Sequence, residues 1–130
     1  MVCLETDFLV DLLRKKPDAI KKLEQLTKEN AELTVTPITL TELFNGAFLH
    51  AQIEKIDLVE EICFSLKILS YDFLASKKAG ELLARLEKQG EKIGDFDTIT
   101  AGIAVRYGEK IITKNRKHFK KIKELKIESW

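Results

Sequence analysis

Short apolar runs of three or four residues alternate with longer helical patterns along this chain, and that alternation restricts its fold more than any other feature. Met1–Leu4, Leu33–Thr36, Leu66–Leu69, Lys110–Thr113 and Lys126–Glu128 read as strands. Between them apolar residues recur at helical spacing: Phe8, Leu9, Leu12 and Leu13; Ile20, Leu23 and Leu26 after Pro17; Leu40, Leu43, Phe44, Ala47 and Phe48; and Ile53, Ile56, Val59, Ile62 and Cys63. Two more helices follow, one through Leu74, Ala75, Ala79, Leu82, Leu83 and Leu86 to near Gly90, the other through Phe96, Ile99, Ile103 and Ala104 to Gly108. Strands separated by helices predict an α/β fold with a mainly parallel central sheet, and 130 residues predict a single domain, 1–130.

An open parallel sheet binds its ligands beyond the carboxyl ends of the strands, so the residues just after each run are where chemistry is expected. Acids stand there. Glu5 ends the first run, and Glu42 follows the second by one helical turn. Asp95 and Asp97 open a helix in "KIGDFDTITAGIAV", and Asn115 follows the fourth run. Most have a structural explanation too. Thr39-x-x-Glu42 has the form of a capping box, with Ile38 and Leu43 spaced as its staple. Asp7, Asp95 or Asp97 suits a helix N-cap or first turn, Asn115 suits a turn, and Asp11 suits a solvated face. Glu5 fits none of these well. An unpaired carboxylate beside a buried run is costly, and a hard divalent ion, which prefers carboxylate oxygens, offsets that cost.

Other features bound the function. No apolar stretch approaches the roughly 20 residues of a membrane span, and the first residues lack the pattern of a signal peptide, so the cytoplasm is the expected location. Cys3 and Cys63 lie in apolar runs without a second ligand nearby and read as reduced, buried thiols. His50 and His118 lack partners at ligand spacing and read as surface or packing residues, and Tyr71, Tyr107 and Trp130 form no base-stacking platform. The net charge of +1 selects no partner, but the Lys110–Lys126 segment is strongly basic against the single acid Glu124. It suits either a solvated face or a phosphate backbone.

The segments "LETDFLVDLL", "PITLTELFNGA", "IGDFDTITAGIAV" and "IITKNRKHF" resemble, in order and spacing, the four signature segments of the PIN-domain nucleases, most nearly the VapC-type toxins of toxin–antitoxin pairs. The resemblance covers essentially the whole chain, through "LKIESW". It implies a three-layer α/β/α fold and a metal-dependent endoribonuclease that hydrolyses RNA phosphodiester bonds at an acidic pocket. The implied metal set is Glu5, Glu42, Asp97 and Asn115, holding magnesium or manganese, with Asp95 assisting catalysis. In the implied chemistry the metal makes hydroxide available from water, and in-line attack leaves a 5′-phosphate and a 3′-hydroxyl. Thr6 and Asp7 match the polar pair that shapes the pocket floor. Lys114, Arg116 and Lys117 are candidates for binding the RNA backbone. A VapB-like antitoxin and a homodimer are implied partners, and the apolar helix pair over 40–66 is a candidate surface for both.

The first family position is ordinarily Asp, and here it is Glu5. The extra methylene displaces the carboxylate by about a bond length, and misplacement near 1 Å costs about a hundredfold in rate. The alternative reading is therefore a catalytically weakened or inactive PIN-like module that binds RNA or protein. A phosphorylated receiver domain is a rival from another class. It requires a phosphoacceptor Asp at the end of a middle strand, whereas Asp72, after Leu66–Leu69, suits the start of the next helix.

Overall fold

The computed structural model describes residues 1–130. Five strands, β1 (Val2–Leu4), β2 (Leu33–Val35), β3 (Lys67–Ile68), β4 (Lys110–Ile112) and β5 (Lys126–Glu128), form one sheet in the order β3-β2-β1-β4-β5. Every pairing is parallel, with Cys3 set between Thr34 on one side and Ile111 on the other. Parallel pairing needs a crossover after each strand. The helices α1 (Thr6–Leu13), α2 (Pro17–Lys28), α3 (Pro37–Leu49), α4 (Ile53–Ser65), α5 (Phe73–Lys88), α6 (Asp95–Arg106) and α7 (Arg116–Phe119) supply the crossovers.

Strand side chains alternate between two cores, as a period of two requires. Val2, Leu4, Val35 and Ile112 pack against Phe8, Leu9, Leu26, Leu43 and Val59 of α1–α4. On the other face Cys3 meets Ala75 and Ile103, and Ile111 meets Leu82, Leu86, Ala104 and Phe119, from α5–α7. The molecule is thus the expected three-layer α/β/α sandwich. Helices α5 and α6 approach so closely that a Cβ on Gly102 would stand 2.7 Å from the Ala79 Cα.

Several boundaries differ from the sequence reading. The third strand is only two residues long and exposed at the sheet edge, although Leu69 just after it is buried. Asp72 caps α5, accepting from the Ala75 N–H at 2.8 Å. An edge strand followed by a capping Asp removes the receiver-domain reading. Cys3 is buried as expected, but Cys63 is only half-buried. The short helix α7 has no counterpart in the sequence reading. No helix is long and apolar enough to cross a membrane.

Candidate active site

Because all strands run the same way, their carboxyl ends share one edge, and the central pair β1 and β4 delivers Glu5 and Thr113–Asn115 side by side. The Glu5 N–H donates to the Ile112 carbonyl at 3.2 Å, extending the ladder by one residue. The Glu5 side chain is only 5% exposed. Glu5 itself, rather than Asp7, is the N-cap of α1: its carboxylate accepts from the Asp7 N–H at 3.3 Å. Burial, and then the neighbouring Asp7 charge, push its carboxyl pKa up to about 8.

Asp7 is freed from capping and reaches across to the end of β4. Its Oδ2 accepts from the Thr113 hydroxyl at 3.1 Å and from the Lys114 N–H at 2.8 Å. This fastens the start of α1 to the β4 loop.

The capping box expected for Glu42 does not form. Thr36 is the N-cap of α3, accepting from the Thr39 N–H at 3.1 Å, and Pro37 opens the helix. Glu42 lies a turn too far along to reach back. It accepts instead from the Thr6 hydroxyl at 2.8 Å, and burial, with Asp97 and Asp7 nearby, raises its pKa.

Gly94, at φ +99°, is the N-cap of α6, so neither acid caps that helix. Asp97, at the third helical position, stands 3.0 Å from His118 Nδ1 and accepts from Asn115 Nδ2 at 3.4 Å. His118 Nδ1 also stands 3.0 Å from the Asn115 amide. A single ring nitrogen cannot donate to Asp97 and accept from that amide at once, so the tautomer selects which bond is made. His118 is therefore a neighbour of the acids and not the surface or packing residue expected. Twenty-one positions separate it from Asp97, and no local pattern in the sequence links the two.

Asp95 has no hydrogen bond to the other acids. It is exposed and lines a separate groove with Leu83, Glu87 and Lys92. Lys114 is not free either. Its ammonium lies 3.3 Å from Asp18, 3.8 Å from Asp11 and 4.6 Å from the Trp130 ring centroid. Arg116 and Lys117 are exposed at the start of α7.

The donor set suits a hard cation. Glu5, Glu42 and Asp7 have no Lys, Arg or His within ion-pair distance, and Asp97 has only His118. Burial, and then the neighbouring carboxylates, raise the pKa values of Glu5 and Glu42, and no basic side chain stands close enough to offset the effect. As the side chains stand, no three His, Cys, Asp or Glu groups are gathered tightly enough to enclose an ion alone. Magnesium tolerates this, since it usually keeps several waters and takes one or two carboxylates.

The PIN domain family model matches residues 2–125. The chain is 30% identical over 128 residues to the tRNA(fMet)-specific endonuclease VapC of Salmonella typhimurium, spanning 98% of this chain and 96% of the relative. It is also 30% identical, with the same coverage, to Ribonuclease VapC2 of Rickettsia felis. Among solved structures, that of VapBC2 from Rickettsia felis bound to a promoter DNA fragment superposes with a TM-score of 0.88 and 32% identity, over 100% of this chain and 99% of the other. Sequence and fold agree from one end to the other: the chain belongs to the PIN-domain family, in its VapC branch.

Proposed function

We propose that this protein is a divalent-metal-dependent endoribonuclease and the toxin of a toxin–antitoxin pair. The reading is supported by Glu5 at the end of β1 and by Glu42, whose charge is felt by Asp97 and Asp7, neither glutamate having a Lys, Arg or His within ion-pair distance. Relatives named as VapC endonucleases or ribonucleases support it. Glu5, Glu42 and Asp97 would hold magnesium or manganese, with Asn115 as an oxygen or water-mediated partner. When bound, such an ion lowers the pKa of water and offsets charge on the scissile phosphate.

The protein's own groups fix the acids in place. Thr6 orients Glu42, Asn115 and His118 orient Asp97, and Asp7 ties the first helix to the β4 loop. Carboxylates held in this way lose little freedom when an ion and a phosphate arrive. Asp95 takes no part in this scheme.

A VapB-like antitoxin and a second copy are the proposed partners. The α3–α4 pair exposes Phe48, Leu49, Ile53 and Phe64, the last 91% exposed, and relatives have been solved as VapBC complexes. The cytoplasm is the proposed location.

One observation favours a second reading, the weakened binding module. The Glu5 carboxylate is buried and turned onto the α1 N-terminus, an arrangement that takes up one of its oxygens. An RNA-cleavage assay in manganese and magnesium separates the two, using this protein, Glu5→Asp and Asp97→Asn. The expected result is metal-dependent cleavage that Asp97→Asn lowers at least a hundredfold. Cleavage by Glu5→Asp alone assigns the weakened module. Silence from all three, with RNA still bound, removes the nuclease reading.

A further inference from the structure

Asn115 stands where α7 begins, a place where an Asn side chain ordinarily accepts from an amide of the first turn. It makes no such bond here. Backbone groups hold the turn instead: the Asn115 N–H donates to the Thr113 hydroxyl at 3.0 Å, and the Phe119 N–H donates to the Asn115 carbonyl at 3.3 Å. Phe119 is fully buried in the core that contains Leu82, Leu86 and Ile111. It anchors α7, and the preceding residue, His118, is thereby fixed against Asp97. The Asn115 amide, released from capping, is turned toward the same two groups.

Three polar atoms converge there. His118 Nδ1 lies 3.0 Å from Asp97 Oδ2 and 3.0 Å from Asn115 Nδ2, and those two are 3.4 Å apart. Hydrogen bonds do not satisfy this triangle. A protonated Nδ1 donates to Asp97 but faces the amide N–H, and a bare Nδ1 accepts from the amide but turns its lone pair on the carboxylate. Turning the amide over replaces its nitrogen with its oxygen, and one N–H then faces two acceptors.

A cation resolves all three contacts at once, because a carboxylate oxygen, an amide oxygen and a ring nitrogen each offer it a lone pair. Neighbouring donors around an octahedral ion with bonds of about 2.1 Å lie roughly 3.0 Å apart, so the triangle has the size of one octahedral face. Asp97 is 22% and His118 41% exposed, which leaves room for water to complete the shell. The nitrogen also changes which ion suits the site. Magnesium takes oxygen donors, whereas imidazole suits first-row transition ions.

We propose that His118 Nδ1 is a direct ligand of the cation, forming one face of its shell with Asp97 and the Asn115 amide oxygen, so that the site takes a first-row transition ion ahead of magnesium. The proposal rests on the metal-dependent reading for the presence of an ion, and it adds a nitrogen donor that Glu5, Glu42, Asp97 and Asn115 do not supply.

It is tested with manganese alone, by electron spin-echo envelope modulation, which detects nitrogen bound directly to the ion. The parent, His118→Gln and His50→Gln are compared, the last removing the chain's other histidine. Nitrogen coupling is expected in the parent and in His50→Gln, and its loss in His118→Gln. Parent protein grown on histidine carrying the heavy nitrogen isotope is expected to show an altered modulation, a readout that stands even if His118→Gln fails to fold. In His118→Gln the manganese dissociation constant is expected to rise at least tenfold. Its magnesium affinity, measured by competition, is expected to change by less than about threefold. Manganese bound saturably without nitrogen coupling overturns the proposal and leaves an all-oxygen metal site standing. Coupling that survives His118→Gln and vanishes in His50→Gln also overturns it. No manganese binding by the parent overturns both the proposal and the metal-dependent reading. Histidine-bound manganese without RNA cleavage sinks the nuclease reading and leaves the coordination standing.

Discussion

Glu5 is the residue on which most of the chemistry turns. Its carboxyl is held at about 8 by burial and by Asp7, against an ordinary value of 4.5. Between those two values the folded protein keeps a proton that the unfolded chain releases, so metal-free stability falls as pH rises from about 4.5 to about 8. Glu5→Gln removes that dependence. In EDTA its Tm is expected to match the parent's near pH 4 and to exceed it by a few degrees at pH 8.5, and parallel Tm curves would show that the proton is not held there. The place of Glu5 at the end of the first strand was legible in the sequence, but its local role as the N-cap of α1 was missed. The roles of Asp7 and Glu42 were not legible either, since the acid that caps α1 turned out to be Glu5 and a Thr–Pro start displaced the expected capping box of α3. His118 was hidden for another reason: it meets Asp97 only through the return of β4 beside β1.

At the scale of elements, amphipathic spacing revealed the six longer helices, and the third strand was read at its place but two residues too long, while the four-residue α7 was too short to show a period. The α5–α6 contact positions Asp97, because α6 carries that acid in its first turn and packs along α5 through Gly102. Ala in a helix is ordinarily favoured over Gly by about 1 kcal/mol. Here the added Cβ would overlap the Ala79 backbone at 2.7 Å. Gly102→Ala is therefore expected to destabilise by about 1–3 kcal/mol, read as a lower urea midpoint. A midpoint at or above the parent's would mean that the helices separate freely.

Across the whole molecule, one parallel sheet with β1 at its centre sets the carboxyl ends of the strands along one edge, an arrangement legible from the alternation of runs alone. The carboxyl-terminal residue closes this arrangement. Trp130 meets the Phe8 ring edge-on at 4.9 Å and lies under the Lys114 ammonium at 4.6 Å, while the Lys114 N–H holds Asp7. Trp130→Ala is expected to cost about 2 kcal/mol, less than the full 3–5 of a core aromatic because the ring is only half-buried. Chemical denaturation monitors it, and a loss below about 0.5 kcal/mol would show the contact to be incidental.

Whether the acids act together as one cation site is answered most directly by titrating manganese into the protein and following the loss of its free EPR signal. The parent is expected to bind saturably, and Glu42→Gln and Asp97→Asn are each expected to weaken binding at least tenfold while remaining folded. Manganese bound equally well by all three proteins would contradict an ion held between Glu42 and Asp97.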